Sequence, residues 1–492
     1  MANIDKVVTL VILLAFFNAM LLLVTIYPIH DITKDTYTST RSLVTPQNSY
    51  PHTNQSEECS SVIVTGDATK DGRPILMKNR DSPEDLFNMP VYIPATTSSF
   101  AFVAVNTNAM GINERGLAVM NTAMPELEHE YGIGNLVLNR WILEKYESVE
   151  DVARDLNNSR SLIGPYYRST AGAIATCIGV IDRFGAGAFF EISNTQAYVQ
   201  YIVNGYDTRA NHARIFPGLA SGPSGRDQYL LDALDEIYEE NGFITWSDVM
   251  QKSSRYVRDK ELGSVSFSID GEACNPNTGA SMVAVSGDSR YNGKLNIMWG
   301  AYGITPLIGV FVPSMVVARE TPAILGLMSS YTYQKWLSAQ VQANPILLDP
   351  NRVQEIQNNA FYAEDYTIEE YEYLINQIPD GLSDNQLDAY TSEYVERVVG
   401  YAVDSYLQET TSIPVPPRGV ITVTSTSTSS ILDDTTTTIT STTSTTNNDA
   451  YWTTISQSTS VTLPNMNRVF LGAGIGLALV LVFTLSLKKR IS

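Results

Sequence analysis

The sequence predicts an α+β body in which helices cover antiparallel sheets. Short segments of alternating apolar residues, bounded by turn residues, recur in pairs between residues 61 and 299. Segments with helical spacing lie between these pairs, and this order favours alternating layers of sheet and helix. The folding part of the chain extends from about residue 59 to residue 412 of the 492 residues, which is long enough for one large core or a core with an appendage.

The first predicted elements are two hairpins and two helices. One hairpin joins residues 61–64 to 74–78 around Thr-Lys-Asp-Gly, and the other joins 100–106 to 117–121 across Gly-Ile-Asn-Glu-Arg-Gly. Apolar residues at 136, 138, 141, 142 and 146 share a helical face. Ser148 and Asp151 form a potential capping box, which predicts a second helix over residues 149–156.

The later elements repeat this pattern. A third hairpin is predicted over 173–182 and 188–192, with 197–203 extending its sheet. Helices follow over 228–240 and 247–259, the latter opened by Thr245 or Ser247, and the last strands are 281–286 and 295–299. Residues 321–412 have apolar spacing that indicates helices packed on the body, which itself covers residues 59–320.

Both ends of the chain carry apolar runs that predict membrane helices. Residues 7–26 are long enough to span a bilayer and lack a small-residue cleavage site, so residues 1–28 are interpreted as a signal-anchor and 29–58 as a leader. Residues 469–487 precede the basic tail 488–492, which the positive-inside rule assigns to the cytoplasm. The Ser/Thr-rich segment 413–468 has the composition of a stalk. We therefore expect a cell-membrane protein with an extracellular body.

Composition excludes several classes of function. The net charge of −20 argues against nucleic acid as a partner, since phosphate binding requires clustered Lys and Arg. The chain has only four histidines and three cysteines, and it contains no CxxC, HExxH, GxSxG, P-loop or GxGxxG motif. The commonest zinc-protease, serine-hydrolase, P-loop and dinucleotide sites are therefore not expected, and chemistry in the body should not need a histidine relay.

Cys59 begins the first predicted hairpin, and Lys78, Asn79 and Asp81 end it. Because the start of one antiparallel strand lies beside the end of its partner, the thiol and these polar groups should be neighbours. An adjacent cation or base can activate a thiol as a nucleophile. The alternative is a half-buried free thiol flanked by ordinary surface charges.

The order of motifs resembles the linear-amide group of N-terminal nucleophile (Ntn) hydrolases. The motifs are Cys59, an Asp-Gly turn, Lys78-Asn-Arg-Asp81, Gly111-Ile-Asn-Glu-Arg-Gly-Leu-Ala-Val-Met-Asn121, Ala210-Asn211-His212, the segment Ser221–Arg226, Thr278-Gly-Ala-Ser-Met and Trp299-Gly-Ala-Tyr-Gly. This group includes choloylglycine hydrolases, penicillin V acylases, acyl-coenzyme A:6-aminopenicillanate acyltransferase-like proteins and related dipeptidases. The resemblance covers about residues 59–313 and implies a four-layer αββα sandwich.

The resemblance also implies a role for each site residue. Cys59, freed by cleavage of the preceding bond, would be the nucleophile, its α-amine the base, and Asp81 the group that holds the amine. Asn211 and Asn121 would donate to the oxyanion, and Arg226 would support the electrostatics. Lys78 stands where the family usually has Arg, and it lacks the planar fork of a guanidinium.

Purely structural roles are the alternative for individual residues. Asn121 and Asn211 could cap strand ends, Arg226 could be a surface residue, and His212 is interpreted as structural. Cys177 and Cys274 are expected to be buried or paired with each other rather than catalytic.

At the level of function, the implied activity is hydrolysis of a small-molecule or small-peptide amide through an acyl-thioester, and the resemblance implies no metal or organic cofactor. Acyl transfer, dipeptide hydrolysis or a non-catalytic surface protein with the same fold are the alternatives. The sequence leaves the oligomeric state open.

Overall fold

The computed structural model describes residues 59–81, 88–127, 134–157, 175–193, 196–257, 273–275, 277–341 and 347–408, together with the backbone of three short strands at 265–266, 424–427 and 439–442. The predicted signal-anchor, leader and second membrane run lie outside the described residues, as does nearly all of the stalk. Within the described residues, no helix is both long and apolar enough to span a membrane.

The described chain contains strands and helices in the following order. The strands are β1 (Cys59–Gly66), β2 (Gly72–Asp81), β3 (Pro90–Ile93), β4 (Phe102–Val105), β5 (Met110–Asn113), β6 (Ala118–Ala123), β7 (Thr176–Ile181), β8 (Gly187–Ile192), β9 (Ala197–Ile202), β10 (Tyr206–Arg209), β11 (Val265–Ser266), β12 (Thr278–Val285), β13 (Ile297–Tyr302), β14 (Val312–Ser314), β15 (Leu347–Leu348), β16 (Thr424–Ser427) and β17 (Ile439–Thr442). The helices are α1 (Asn135–Lys145), α2 (Val149–Asn157), α3 (Arg226–Asn241), α4 (Trp246–Asp248), α5 (Met328–Ala339), α6 (Pro350–Gln377) and α7 (Asp384–Gln408).

Two antiparallel sheets form the centre of the body. The first has the strand order β10-β1-β2-β12-β13-β14, and the second has the order β3-β4-β5-β6-β7-β8-β9. We call them sheet I and sheet II. In sheet I, β2 pairs on one side with β1, which is close in sequence, and on the other with the distant strand β12. The candidate residues at the ends of β1 and β2 therefore lie inside sheet I rather than at its edge.

The sheets pack face to face with helices on both outer sides. Glycines in sheet II allow the close approach: a Cβ placed on Gly179 would meet Leu76 of β2 at 3.1 Å, and one on Gly187 would meet Ile63 of β1 at 2.8 Å. Helices α1 and α2 cover the other face of sheet II with an apolar cluster that includes Ile142 and Val152. The order of layers on this side is thus helix, sheet, sheet, as the resemblance implied.

Helices α3, α6 and α7 complete the fourth layer, against sheet I. Trp299 of β13 makes an edge-to-face contact with Tyr371 of α6, with ring centroids 5.4 Å apart. The Arg255 guanidinium forms a buried two-point ion pair with Glu364 of α6, the shorter N–O distance being 2.5 Å. The predicted helical extension over residues 321–412 is therefore observed, and it is part of the core.

Several predicted elements differ from the observed ones. Residues 100–106 do not pair directly with 117–121, because β5 lies between β4 and β6 and pairs with both. Each of the two turns around β5 contains a residue in the left-handed region. Asn108, with φ of 60°, lies between β4 and β5, and Gly116, with φ of 77°, lies between β5 and β6. Strands β3, β10 and β14 were not predicted, since each has only three or four residues.

The predicted helix starts are confirmed, but one helix is shorter than expected. Ser148 accepts a hydrogen bond from the Asp151 backbone at 3.1 Å, and Thr245 and Asp248 form a complete capping box. The helix predicted over 247–259 ends in a π-helical turn, Val249–Ser253. The Ser254 hydroxyl donates to Met250 O at 2.6 Å at this end.

Candidate active site

Cys59 is the first residue of β1 and is 4% exposed. The β-branched residues that follow in Cys-Ser-Ser-Val-Ile-Val-Thr-Gly favour the strand. Its backbone nitrogen donates to Asn211 Oδ1 at 2.7 Å. In the antiparallel register Cys59 lies opposite Arg80 of β2, one residue before Asp81. The predicted proximity of the Cys to the end of β2 is therefore observed.

The Asp81 carboxylate lies at the end of β2 and is only 3% exposed. Its Oδ2 accepts from Arg226 Nη1 and from Asn275 Nδ2, both at 2.9 Å, and its Oδ1 accepts from the Thr278 hydroxyl at 2.5 Å. Such donors stabilise a buried negative charge. Asp81 is thus not an ordinary surface charge, as the alternative interpretation required.

The amide of Asn211 has a defined orientation. Its Nδ2 donates to Ala123 O at 2.8 Å, and its Oδ1 accepts from both the Cys59 nitrogen and Arg226 Nη2, the latter at 3.2 Å. Because a guanidinium can only donate, the oxygen must face Arg226 and Cys59. Asn211 therefore turns its acceptor toward Cys59, whereas the resemblance implied an oxyanion donor.

Arg226 begins helix α3 and is 7% exposed, so it is not a surface residue. Its hydrogen bonds to Asp81 and Asn211 join four of the predicted site residues into one network from Cys59 to Asp81. The network brings together β1, β2, α3 and the loop before α3.

A buried carboxylate anchors the loop that carries Asn211. Glu191 of β8 accepts hydrogen bonds from the consecutive backbone nitrogens of Arg214, Ile215 and Phe216 at 2.7–3.0 Å. It also lies 3.3 Å from Arg209 Nε, and both side chains are fully buried. This loop is therefore held to both sheets, which fixes the position of Asn211.

Lys78 and Asn121 form a second, neighbouring pair. Lys78 Nζ donates to the backbone oxygen of Asn121 and lies 3.2 Å from its Oδ1. Asn121 Oδ1 also accepts from Asn139 Nδ2 of α1 at 3.1 Å. Lys78 is 1% exposed and lies opposite Ser61. Because Ser61 is two residues after Cys59 in β1, Lys78 lies on the same face of sheet I as Cys59. The structure thus places Lys78 beside the site and buried, while its described partner is Asn121.

The remaining candidates contact other groups. Asn79 points to the opposite face of sheet I, where its Nδ2 donates to Ser254 O at 2.8 Å. His212 Nε2 lies 3.4 Å from Asp227 Oδ2 and 3.4 Å from the Ser224 hydroxyl, which fits the predicted structural role. Cys177 and Cys274 are both buried and neither is in a disulfide, so of the two predicted alternatives burial is observed and pairing with each other is not. Burial raises the pKa of the Cys177 thiol, which disfavours a nucleophilic role.

Sequence reasoning missed two residues that hold Asp81. Asn275 and Thr278 form a turn in which the Asn275 nitrogen donates to Thr278 Oγ1 at 3.1 Å and the Thr278 nitrogen donates to Asn275 O at 3.0 Å. Thr278 is the first residue of the motif Thr-Gly-Ala-Ser-Met, but Asn275 carries no sequence signal beyond a turn-forming residue type. Among the residues the structure describes, no cluster of metal-ligating side chains occurs.

The sequence matches one protein-family model. Residues 68–248 match the model of the acyl-coenzyme A:6-aminopenicillanic acid acyl-transferase family. The matched region includes Lys78, Asp81, Asn121, Asn211 and Arg226, and it begins after Cys59. The resemblance to the linear-amide group of Ntn hydrolases is therefore confirmed. No curated protein gave a sequence match.

Several solved structures share a distant likeness. A mutant of the conjugated bile acid hydrolase from Clostridium perfringens is 15% identical, with a TM-score of 0.34, over 50% of this chain and 89% of that one. A second variant of the same hydrolase gives a TM-score of 0.33 at 15% identity, over 50% of this chain and 89% of that one. Penicillin V acylase from Agrobacterium tumefaciens is 12% identical, with a TM-score of 0.30, over 52% of this chain and 86% of that one.

Proposed function

We propose, from the resemblance of the chain to the linear-amide Ntn hydrolases, that it cleaves a linear carbon–nitrogen amide bond with Cys59 as the nucleophile. The observation that carries this proposal is the hydrogen bond from the Cys59 nitrogen to Asn211 Oδ1 at 2.7 Å. In the intact chain this nitrogen belongs to the Glu58–Cys59 peptide bond. Once that bond is cut, the same nitrogen becomes a free α-amine that can act as a base.

The network then gives each group a role. Asn211 Oδ1 accepts an N–H of the α-amine, which orients the nitrogen lone pair toward the thiol of the same residue. Arg226 holds Asn211 by a hydrogen bond to its Oδ1, and Asp81 in turn binds Arg226. The charges of Arg226 and Asp81 compensate each other inside the protein. In this proposal Asn211 orients the base, a role that fits its amide orientation better than oxyanion donation.

The reaction proceeds through an acyl-thioester. The amine takes the thiol proton as the sulfur–carbon bond forms, and the carbonyl π pair becomes a lone pair on oxygen. When the intermediate collapses, the carbon–nitrogen bond breaks and the leaving amine takes the proton from the ammonium. Water then attacks the thioester by the same route and restores the thiol.

The substrate we propose is a small molecule or small peptide. Acyl transfer to a second amine and dipeptide hydrolysis are alternative outcomes of the same thioester. A protein of this fold without catalysis is the alternative from another class. No cofactor or nucleic acid takes part in this mechanism.

We also propose that the body works outside the cell, tethered to the membrane. The apolar runs at 7–26 and 469–487, the basic tail and the Ser/Thr-rich segment support this location. If the Glu58–Cys59 bond is cut, the run at 469–487 is the remaining covalent tether.

Two linked measurements test this function. The first determines the N-terminus of the purified protein by sequencing and intact mass, and the expected result is a chain beginning at Cys59. The second measures release of amine from a panel of penicillin V, N-acyl amino acids and dipeptides. Cys59→Ala should retain residues 1–58 and lose turnover by about 1,000-fold or more.

Cys274→Ala is the matched control, since Cys274 is buried, is not in a disulfide and is not one of the network residues. This variant should be processed and active. A mature chain that keeps residues 1–58 and cleaves none of these amides would support the non-catalytic alternative. An active chain that keeps residues 1–58 would contradict the α-amine as the base.

A further inference from the structure

The hydroxyl of Thr122 is a buried polar group without a described partner. Thr122 lies near the end of β6 and has no exposed surface. Its Oγ1 makes no hydrogen bond among the residues that the structure describes. A buried hydroxyl left unsatisfied costs about 1–3 kcal/mol, so such a group calls for an explanation.

The alternation of β6 shows where this hydroxyl points. Met120 packs toward sheet I, because a Cβ on Gly179 would meet Met120 Cε at 2.5 Å and Leu76 of β2 at 3.1 Å. Asn121 faces the other side, where its Oδ1 accepts from Asn139 of α1. Side chains alternate along a strand, so Thr122 points into the space between the two sheets.

The Cys59 side chain points into the same space. Ile63 of β1 approaches Gly187 of sheet II, since a Cβ on Gly187 would meet Ile63 Cγ2 at 2.8 Å. Cys59 is four residues before Ile63 in the same strand and therefore shares its face. The nucleophile and the Thr122 hydroxyl thus project between the sheets from opposite sides.

The hydrogen bonds on either side of Thr122 place it at the level of the site. The backbone oxygen of Asn121 accepts from Lys78 Nζ, and the backbone oxygen of Ala123 accepts from Asn211 Nδ2 at 2.8 Å. Asn211 contacts the Cys59 nitrogen with its other end. One amide side chain therefore connects the nucleophile's nitrogen to the residue next to Thr122.

We propose that the Thr122 hydroxyl contacts the substrate and donates a hydrogen bond to the carbonyl oxygen as it becomes an oxyanion. This inference rests on the proposed function and deepens it. Asn211 turns its oxygen toward Cys59, and Asn121 faces the other side of sheet II, so both donors that the resemblance implied are directed elsewhere and the oxyanion needs another donor. In the step considered, the Cys59 sulfur bonds to the carbonyl carbon and the thiol proton passes to the α-amine. The π pair becomes a lone pair on oxygen, and Thr122 donates to that oxygen without losing its proton.

The experiment compares Thr122→Val, Thr122→Ser and the control Thr65→Val in the processed full chain. Valine keeps the shape of threonine and removes the hydroxyl. Loss of one oxyanion donor should lower kcat about 100-fold with KM little changed, and serine should restore turnover. The melting temperature of Thr122→Val should not fall, because the hydroxyl removed makes no described bond in the folded protein.

Thr65 is a suitable control because it is also a buried threonine of the central sheets. It is 2% exposed, and its hydroxyl donates to Ile202 O at 2.8 Å. Thr65→Val should therefore lower the melting temperature while processed protein keeps its kcat. This is the opposite pattern to that expected for Thr122→Val.

Each outcome decides the inference. Unchanged kcat in Thr122→Val, with the wild type active, would overturn it and leave the proposed function standing. The same follows if Thr122→Ser fails to restore turnover or if Thr122→Val loses stability as Thr65→Val does. A processed wild-type chain that cleaves no amide would overturn the proposed function and this inference together.

Discussion

Arg226 donates from Nη1 to Asp81 Oδ2 at 2.9 Å, across 145 positions of the chain. The two side chains are 8% and 3% exposed, so each charge depends on the other for compensation inside the protein. The pair also links the start of α3 to the end of β2, and Arg226 reaches Asn211 at the same time. Stability and site geometry are therefore coupled at this point.

Asp81→Asn should lower both activity and stability. The sequence alone led us to expect a variant that folds and loses turnover by orders of magnitude. The structure adds that Arg226 would remain buried without its carboxylate, at a cost of about 3–5 kcal/mol. Circular dichroism, denaturant unfolding and amide hydrolysis measure the effects, and near-normal turnover would refute the assigned role. In the double variant with Arg226→Met, stability should partly recover and activity should not.

Thr278→Val should disturb Asp81 without removing it. The variant deletes one of the donors that hold this carboxylate against Arg226, so kcat/KM should fall by about 10-fold or more while the chain still folds. Thr278→Ser keeps the hydroxyl and should restore turnover. Wild-type kcat/KM in Thr278→Val would contradict the assigned role of this hydrogen bond.

The buried pair of Arg255 and Glu364 should make stability depend on pH. Burial raises the pKa of the Glu364 carboxyl from its ordinary value of 4.5, and Arg255 opposes this shift. Between pH 4.5 and the raised pKa of the folded state, the folded protein therefore holds a proton that the unfolded chain has lost. The contribution of this group to the free energy of unfolding is greatest below 4.5 and falls as the pH rises through the folded pKa.

Glu364→Gln removes this titration and provides the comparison. Its free energy of unfolding should be lower than that of the wild type at neutral pH, because Arg255 loses its buried carboxylate. Its dependence on pH above 4.5 should be flatter. Denaturant unfolding between pH 4.5 and 7, done in parallel on both proteins, measures the two slopes; a steeper fall in the variant would contradict the assignment.

Deletion of residues 465–492 should release processed enzyme into the medium. This prediction follows from the apolar runs and the basic residues Lys488, Lys489 and Arg490, all of which lie outside the described residues. The unprocessed Cys59→Ala chain with the same deletion should stay in the membrane through residues 7–26. Processed, deleted protein that resists a high-salt wash of the membrane fraction would show another attachment.

The sequence was sufficient for those parts of the fold and site that depend on local pattern. The first hairpin, the helix starts at Ser148 and Thr245 and the helices that follow residue 321 follow from turn chemistry and apolar spacing. The position of Cys59 beside the end of β2 follows from hairpin geometry alone. Proximity of Asp81 and Arg226, in contrast, was available only from the resemblance.

What the sequence could not supply depends on contacts between distant segments. The orientation of the Asn211 amide is set by Ala123 and Arg226, and neither contact leaves a local signal. Asn275 holds Asp81 across 194 positions. The Thr122 hydroxyl stood in an ordinary strand pattern, and only the packing of two sheets shows that it is buried and without a described partner.

The position of β12 in sheet I bears on when the enzyme can become active during its synthesis. Strand β2 has two neighbours in sheet I, and β1 leaves the ribosome before it. The other neighbour, β12, is synthesised much later, since its first residue Thr278 lies 197 positions beyond Asp81. Until then one edge of β2 is unpaired and the Asp81 carboxylate lacks the donors from Asn275 and Thr278. We therefore expect nascent chains arrested before residue 275 to retain residues 1–58, so that translation itself delays maturation until most of the body has been made.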